Sequence, residues 1–141
     1  GHSGVKSGVT TQTSVLAISS RYQFNGRSNA GIAHIKSVAI ATDSTKGAIF
    51  RIYRNAALGG TPQWTYEDQN ESIMLVDSSA TTVSGVPVLA TYVVGPSGSS
   101  TIDLQELDLD LVAGDNFVIT AERVSGSAAE MTASVTWGER I

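Results

Sequence analysis

An acidic segment near the C-terminal third of the chain is the first candidate for chemistry. Its carboxylates are Asp103, Glu106, Asp108, Asp110 and Asp115. Calcium needs several hard oxygens converging on one point, and the alternating Asp108 and Asp110 would share one face of a strand. The spacing matches no EF-hand loop. We therefore favour an exposed polar face that discourages edge-to-edge pairing over a calcium site, and a glycosidase carboxylate pair has still less support.

Nucleophilic catalysis has little support among the residues. The chain has no cysteine and two histidines, His2 and His34. No Gly-x-Ser-x-Gly elbow presents a serine, and no glycine loop has the spacing of a phosphate cradle. His34 falls inside an alternating run, which favours a residue of a sheet face or interface over a general base. We predict no enzyme, no catalytic residue, no metal ligand and no cofactor.

Two aromatic residues stand close together in a stretch that otherwise has the composition of a loop. Trp64 and Tyr66 follow Gly59, Gly60 and Pro62. Aromatic rings offer a flat apolar face with a polar edge, on which a sugar can stack. We favour the alternative that they pin a long loop onto the domain, and contact with another subunit is a third interpretation. Trp64 and Tyr66 are therefore the candidate ligand or subunit contacts.

The overall composition limits the classes of protein to consider. The chain has 141 residues, enough for one domain with a real core; 41% are hydrophobic and 16% charged, which excludes a charge-rich disordered tail. The formal net charge is −4 and the basic residues are scattered, so we predict no nucleic-acid partner. No apolar run reaches the length of a membrane span, so we predict no membrane partner.

Alternation of apolar and polar residues is the main structural pattern, and no long helical period competes with it. It gives about eight runs separated by turn residues, which is typical of a β-sandwich or barrel. The runs are 14–20, 32–42, 48–55, 73–76, 86–94, 101–111, 117–123 and 131–137. The alternation is clearest in 99–123, where Ala113-Gly114-Asp115-Asn116 separates two runs. The leucine spacing in this stretch also fits a one-turn helix before Gly114.

Strict alternation assigns side chains to the two faces of a strand. In the run 32–42 it places Ile35 on one face and Val38 with Ile40 on the other. In the run 117–123 it places Phe117 in the core and Thr120 on the opposite face, where a substitution costs less stability.

The first residues look different from the rest. Gly1-His2-Ser3-Gly4 has no initiator Met and we interpret it as a cleavage scar, while 5–13 is rich in Gly, Ser and Thr. We therefore predict a flexible N-terminal arm over 1–13 and a single β-sandwich domain over 14–141.

From Ala33 onward the chain resembles a β-sandwich structural module of tailed-bacteriophage virion proteins. The matching segments, in order, are 51–55 (Arg-Ile-Tyr-Arg-Asn), 58–64 (Leu-Gly-Gly-Thr-Pro-Gln-Trp), 71–77 (Glu-Ser-Ile-Met-Leu-Val-Asp), 81–85 (Thr-Thr-Val-Ser-Gly), 99–104, 111–115 and 133–137. Their order and spacing carry the likeness. It implies a jelly-roll-like antiparallel sandwich of the kind found in capsid decorations, head fibres and tail appendages, with no catalytic motif.

The resemblance implies a non-enzymatic virion structural protein on the particle surface, a capsid decoration or head-fibre protein. The expected partners are the major capsid protein or tail and fibre proteins, and copies of the chain itself, most simply a trimer. Apolar residues predicted on both faces of strands, such as Val38 and Ile40, point the same way. The alternative is a receptor- or carbohydrate-binding module of a tail fibre, with a host-surface glycan as ligand.

Overall fold

The computed structural model describes all residues, 1–141, and every regular element except one is a β-strand. The strands are β1 (His2–Val9), β2 (Thr13–Ser20), β3 (Gln23–Phe24), β4 (Arg27–Ser28), β5 (Ile32–Thr42), β6 (Ala48–Arg54), β7 (Ala57–Gly60), β8 (Thr65–Tyr66), β9 (Met74–Asp77), β10 (Ala80–Ser84), β11 (Ala90–Val94), β12 (Ser99–Asp103), β13 (Asp110–Leu111), β14 (Asn116–Arg123) and β15 (Ala129–Arg140). The exception is a 3₁₀ turn at Gln105–Leu107. It lies before Gly114, where the leucine spacing suggested a one-turn helix.

Eight of the strands form two four-stranded antiparallel sheets. Sheet A has the order β1-β15-β5-β12, and sheet B contains the order β11-β6-β14-β2. The chain crosses between the sheets in the sequence that defines a jelly roll, two Greek keys wound together. Short additions extend both sheets: β13 pairs with β5 in sheet A, and β9 and β8 follow β2 in sheet B. The predicted jelly-roll-like antiparallel sandwich is confirmed.

The core lies between the two sheets and is built from the inward residues of both. Alternation in β14 sends Phe117, Ile119 and Ala121 inward, and all three are buried. Opposite them in sheet A lie Val135 and Trp137 of β15, also buried. β-branched and aromatic side chains suit such a half-buried pleated surface, which is why this Val- and Ile-rich sequence forms strands.

A β-bulge in β5 overturns one of the predicted face assignments. Trp137 pairs with Ile35 and Thr136 with Ser37, so Lys36 is an extra residue with no partner on β15. An extra residue reverses the alternation beyond it. Ile35, Val38 and Ile40 therefore all point into the core and are at most 2% exposed. The prediction that Val38 and Ile40 lie on the second face was wrong.

The outer face of sheet B is covered by the chain itself. The connection from β6 to β11 carries the antiparallel pair of strands β7 and β10, and β10 lies over β2. Under it is a second apolar cluster of Ala17, Tyr53, Ala56 and Val118. Thr120 on the same face is 1% exposed, so both faces of β14 are buried. Alternation identified the face of Thr120 correctly, but not the cover over it.

The first strand corrects the predicted domain boundary. His2–Val9 is β1, paired antiparallel with β15 from His2↔Val135 to Val9↔Ala129. Gly4 and Val9 are buried by this pairing. Residues 1–13 are therefore not an arm outside the sandwich, and the sheet includes the strand that we assigned to a linker. The glycine-rich composition of 1–13 suggested a linker rather than a strand. Gly4 is needed for packing, because a Cβ at this position would collide with Val15 and Leu16.

The two ends of the sandwich differ in their connections. One end has short turns, at 10–12, 43–47, 95–98 and 124–128. The other end gathers the three long connections, 21–31, 55–89 and 104–115. Binding residues concentrate on long loops held by a rigid scaffold, so this long-loop end is the place to look for a site.

Replacing Phe117 with Ala is expected to lower the free energy of unfolding by about 3–5 kcal/mol, because it leaves a cavity between the sheets. Thr120→Ala is expected to cost about 1 kcal/mol, since its hydroxyl shares the Gln12 Oε1 acceptor with Tyr53 and Arg51. Denaturant titration measures both. Equal losses for the two variants would contradict this account of the two faces.

Candidate functional site

Tyr66 lies at the edge of sheet B, beside the long-loop end. It pairs with Leu75 of β9, and its ring is 50% exposed. The Arg21 guanidinium carbon lies 4.3 Å from the Tyr66 ring centroid and 5.3 Å from that of Phe24. This cation–π contact occupies one face of Tyr66. A sugar ring could therefore stack on the remaining face alone.

Arg21 acts as a clamp between two of the long connections. Its Nε donates to the Gln23 carbonyl at 2.6 Å, and Nη1 donates to the carbonyls of Gln69 at 2.9 Å and Ser72 at 3.3 Å. These bonds join the β3–β4 hairpin to the 67–73 loop, and the Arg21 guanidinium that makes them lies over the Tyr66 ring. The interpretation that Trp64 and Tyr66 pin a loop stays a prediction. Trp64 stays 37% exposed, two residues further along the same edge.

The acidic segment does not converge on a point. Asp103 Oδ1 accepts from the Gln105 N–H at 2.9 Å, and Asp115 Oδ2 accepts from the Val112 N–H at 3.1 Å. Asp108 ends the 3₁₀ turn in the left-handed region, at φ 49°. No group of three or more His, Cys, Asp or Glu side chains is arranged to hold a metal ion. Asp103 and Asp115 therefore act separately, each holding a turn of the backbone.

His34 and Asp110 form a cross-strand pair between β5 and β13. Nδ1 of His34 lies 2.6 Å from Oδ1 of Asp110. The two side chains are 34% and 45% exposed, so solvent screens the pair. A polar groove of about 370 Å³ runs beside them and includes Asp108 and Arg140. A second groove, of about 470 Å³, follows the β3–β4 hairpin beneath Phe24.

Glu139 is a residue whose importance the sequence did not indicate. Its carboxylate accepts from the Ile73 N–H and the Ser72 hydroxyl, each at 2.7 Å, and from the Trp137 indole N–H at 2.9 Å. It thereby ties the last strand of sheet A to the loop that enters β9. Nothing distinguishes this glutamate from a surface residue until the register of β15 is known.

Asp77 fixes the other turn of the long 55–89 connection. It is 2% exposed, and its carboxylate accepts from the N–H groups of Gln63, Ser79 and Ala80 at 2.7–3.1 Å. Charge-assisted bonds of this kind compensate the burial of the carboxylate. The sequence did contain a signal here, since Asp followed by Ser-Ser is a typical turn former.

The outer face of sheet A remains bare, in contrast to that of sheet B. Its outward residues are small and mostly hydroxyl-bearing: Ser3, Val5, Ser37, Ala39, Ala41, Ser99, Thr101, Thr132, Ser134 and Thr136. One row across the sheet runs Ser3, Ser134, Ala39 and Thr101. A shallow groove of about 500 Å³ follows it. Asp103 and Glu130 lie at the margin of this face, whereas Lys36 of the central strand β5 lies against Gly138 of β15.

Comparison of the chain with protein-family models, with curated proteins and with solved structures finds no match. None of the helical structure has the length and hydropathy of a membrane span. The likeness to phage virion modules thus stays a prediction, and any function must be argued from the surfaces described above.

Glu139→Ala is expected to lower the free energy of unfolding by about 1–3 kcal/mol, because it leaves the Ile73 N–H and the Trp137 indole without their acceptor. Thermal or denaturant unfolding measures the loss. Glu130→Ala is the matched control on the same strand: this side chain is exposed and makes no hydrogen bond, so its change should stay within about 0.5 kcal/mol. An equal effect of both variants would rule out the role given to Glu139.

Burial raises the pKa of Tyr92, whose side chain points toward the core from β11. A raised pKa in the folded state means that the neutral phenol is favoured there. Its contribution to stability is therefore complete below about pH 10, the unfolded value, and is lost as the pH rises through the folded pKa. Tyr92→Phe should flatten the alkaline fall in unfolding free energy, and an unchanged slope would argue against it.

Proposed function

We propose that the chain is a non-enzymatic structural protein of a tailed-bacteriophage virion, a capsid decoration or head-fibre protein on the particle surface. The observation that supports this best is the contrast between the two outer faces. Sheet B is covered by the 55–89 connection, whereas sheet A presents a row of small side chains from Ser3 to Thr101, and the one charge on its central strand, Lys36, lies away from that row against Gly138. A face of that kind suits a protein that is seated on a neighbour.

Small hydroxyl-bearing residues favour close packing against another protein surface. They allow two backbones to approach, and their hydroxyls can exchange water for partner groups at a far lower cost than a buried charge. The partner in this proposal is the major capsid protein or a tail or fibre protein. The jelly roll is compatible with this role, but lectins and cupins share it, so the choice of a virion rests on the resemblance.

Self-association belongs to the same proposal, but the apolar residues that the sequence placed on the second faces of strands no longer support it. Val38 and Ile40 lie in the core, and Val118 is covered by the 55–89 connection, so these residues need no partner. The exposed apolar side chains that remain near one edge of sheet B are Val88, Leu89 and Val93. The trimer stays a prediction from the resemblance.

Receptor or carbohydrate binding is the second candidate. It is favoured by the exposed aromatics at or beside the long-loop end: Tyr22 at 73%, Tyr66 at 50% and Trp64 at 37%. The two grooves at that end are large enough to hold a saccharide. In this version Trp64 and Tyr66 contact a host-surface glycan.

Binding of the chain to a virion is tested by co-sedimentation with phage particles that normally carry this protein and from which it has been removed. Wild-type chain is expected to co-sediment, and Ser134→Arg, which places a charge in the middle of the bare face, should weaken binding about tenfold or more. Ser84→Arg, on the exposed strand β10, is the control and should bind as wild type. No co-sedimentation of the wild type would refute the proposal.

The second candidate is tested on a glycan array. Binding that Trp64→Ala abolishes, with the fold intact by circular dichroism, would establish it. If no glycan binds, or if Trp64→Ala and Tyr66→Ala leave binding unchanged, the aromatic residues serve only to hold the loop.

A further inference from the structure

Strand β11 is an open edge of sheet B. It pairs with β6 on one side, from Ala90↔Ile52 to Val94↔Ala48, and has no strand on the other. Its sequence is Ala-Thr-Tyr-Val-Val, with no charge, proline or glycine. β-branched and aromatic residues without charge are the composition most prone to pair with another strand.

The other edges of the two sheets carry the protective features that β11 lacks. β1 has Lys6 and a register shift between Lys6 and Val9, with Gly8 at φ 68°. β12 ends in Asp103, and β8 is two residues long and is followed by Glu67. Charges, bulges and shortness are the devices by which soluble proteins prevent edge pairing. Their absence from β11 alone marks this edge as one that pairs.

The backbone of β11 is correctly disposed for a further strand. At the two ends of β6, the Asn55 N–H donates to the Asn116 carbonyl at 3.0 Å and the Gly47 carbonyl accepts from the Val124 N–H at 3.1 Å, so the odd-numbered residues of β6 bond β14 and its even-numbered residues bond β11. Their partners Ala90, Tyr92 and Val94 therefore face β6, and the N–H groups of Thr91 and Val93 point away from the sheet. The side chains beside that edge are apolar and exposed, Val93 by 72% and Leu89 by 45%. A strand added here would satisfy the free backbone groups and cover both side chains.

We infer that β11 pairs antiparallel with β11 of a second copy of this chain, across a two-fold axis at Tyr92. In that register Thr91 faces Val93 of the second copy, and Ala90 faces Val94. No like charges meet, because the strand has none and the neighbouring Arg51 is paired with Glu122. The second copy thus offers the same uncharged, β-prone strand and the same exposed valine that this edge needs covered.

The symmetry of this contact limits the assembly. An isologous contact about a two-fold axis uses the same patch of both copies and closes at two chains. The opposite edge of sheet B is the short β8, which offers little for continued growth. The inference therefore specifies the self-association of the proposed structural protein as a dimer, and its test needs no phage particle.

The test is light scattering coupled to size exclusion over a dilution series. We expect a mass of twice 14.7 kDa that falls toward 14.7 kDa on dilution. Val93→Lys should raise the dissociation constant about tenfold or more by placing like charges across the axis. Val5→Lys is the matched control: this valine is also exposed, by 53%, but on the protected strand β1, and the variant should dimerise as wild type.

Several outcomes would overturn the dimer. A mass of 14.7 kDa at every concentration, or a dimer that both Val93→Lys and Thr91→Lys leave intact, would overturn it. A mass of three times 14.7 kDa would support the trimer instead. Amide hydrogen exchange gives an independent measurement: the outward N–H groups at positions 91 and 93 should be protected in the wild type and lose protection in Val93→Lys. Particle binding by a chain that is monomeric would refute the dimer and leave the proposed function standing.

Discussion

A β-sheet has two faces, and a sandwich buries only one face of each sheet. The rest of this structure depends on how the two outer faces and the sheet edges are covered or left exposed. The inner faces meet in a core around Phe117, Phe50 and Trp137. The outer face of sheet B would expose Ala17, Tyr53 and Val118, and the 55–89 connection covers it. The outer face of sheet A needs no cover because its side chains are small and polar.

The covering connection packs on the sheet through Leu58, Val83 and Val86, and polar groups hold its turns in place. Asp77 organises its turn through three backbone N–H groups, and Glu139 binds the loop before β9 to the end of β15. Each of these groups is at least partly removed from water, where an unmade hydrogen bond is costly, so they fix one position for the connection.

The sequence predicts those parts of the fold that depend on local alternation. Strand β5 begins and ends where the period-2 run does, at 32 and 42, and β14 (116–123) begins one residue before the predicted run 117–123. Alternation fails where long-range pairing decides. The bulge at Lys36 depends on the register with β15, and β1 on a partner more than a hundred residues away. For the same reason Trp64 and Tyr66 could be chosen as candidates, whereas Glu139 could not.

The edges decide how such a sandwich meets other proteins. A sheet edge presents backbone groups that any strand can bind, so a soluble chain must either block an edge or use it. Three edges here are blocked by Lys6 and its bulge, by Asp103 and by the brevity of β8, and these features occur in unrelated parts of the sequence. Blocking an edge requires a single charged residue, and the fourth edge has none. The bare face of sheet A and the open edge of sheet B lie on different sheets, which leaves one surface for a second copy and another for the particle.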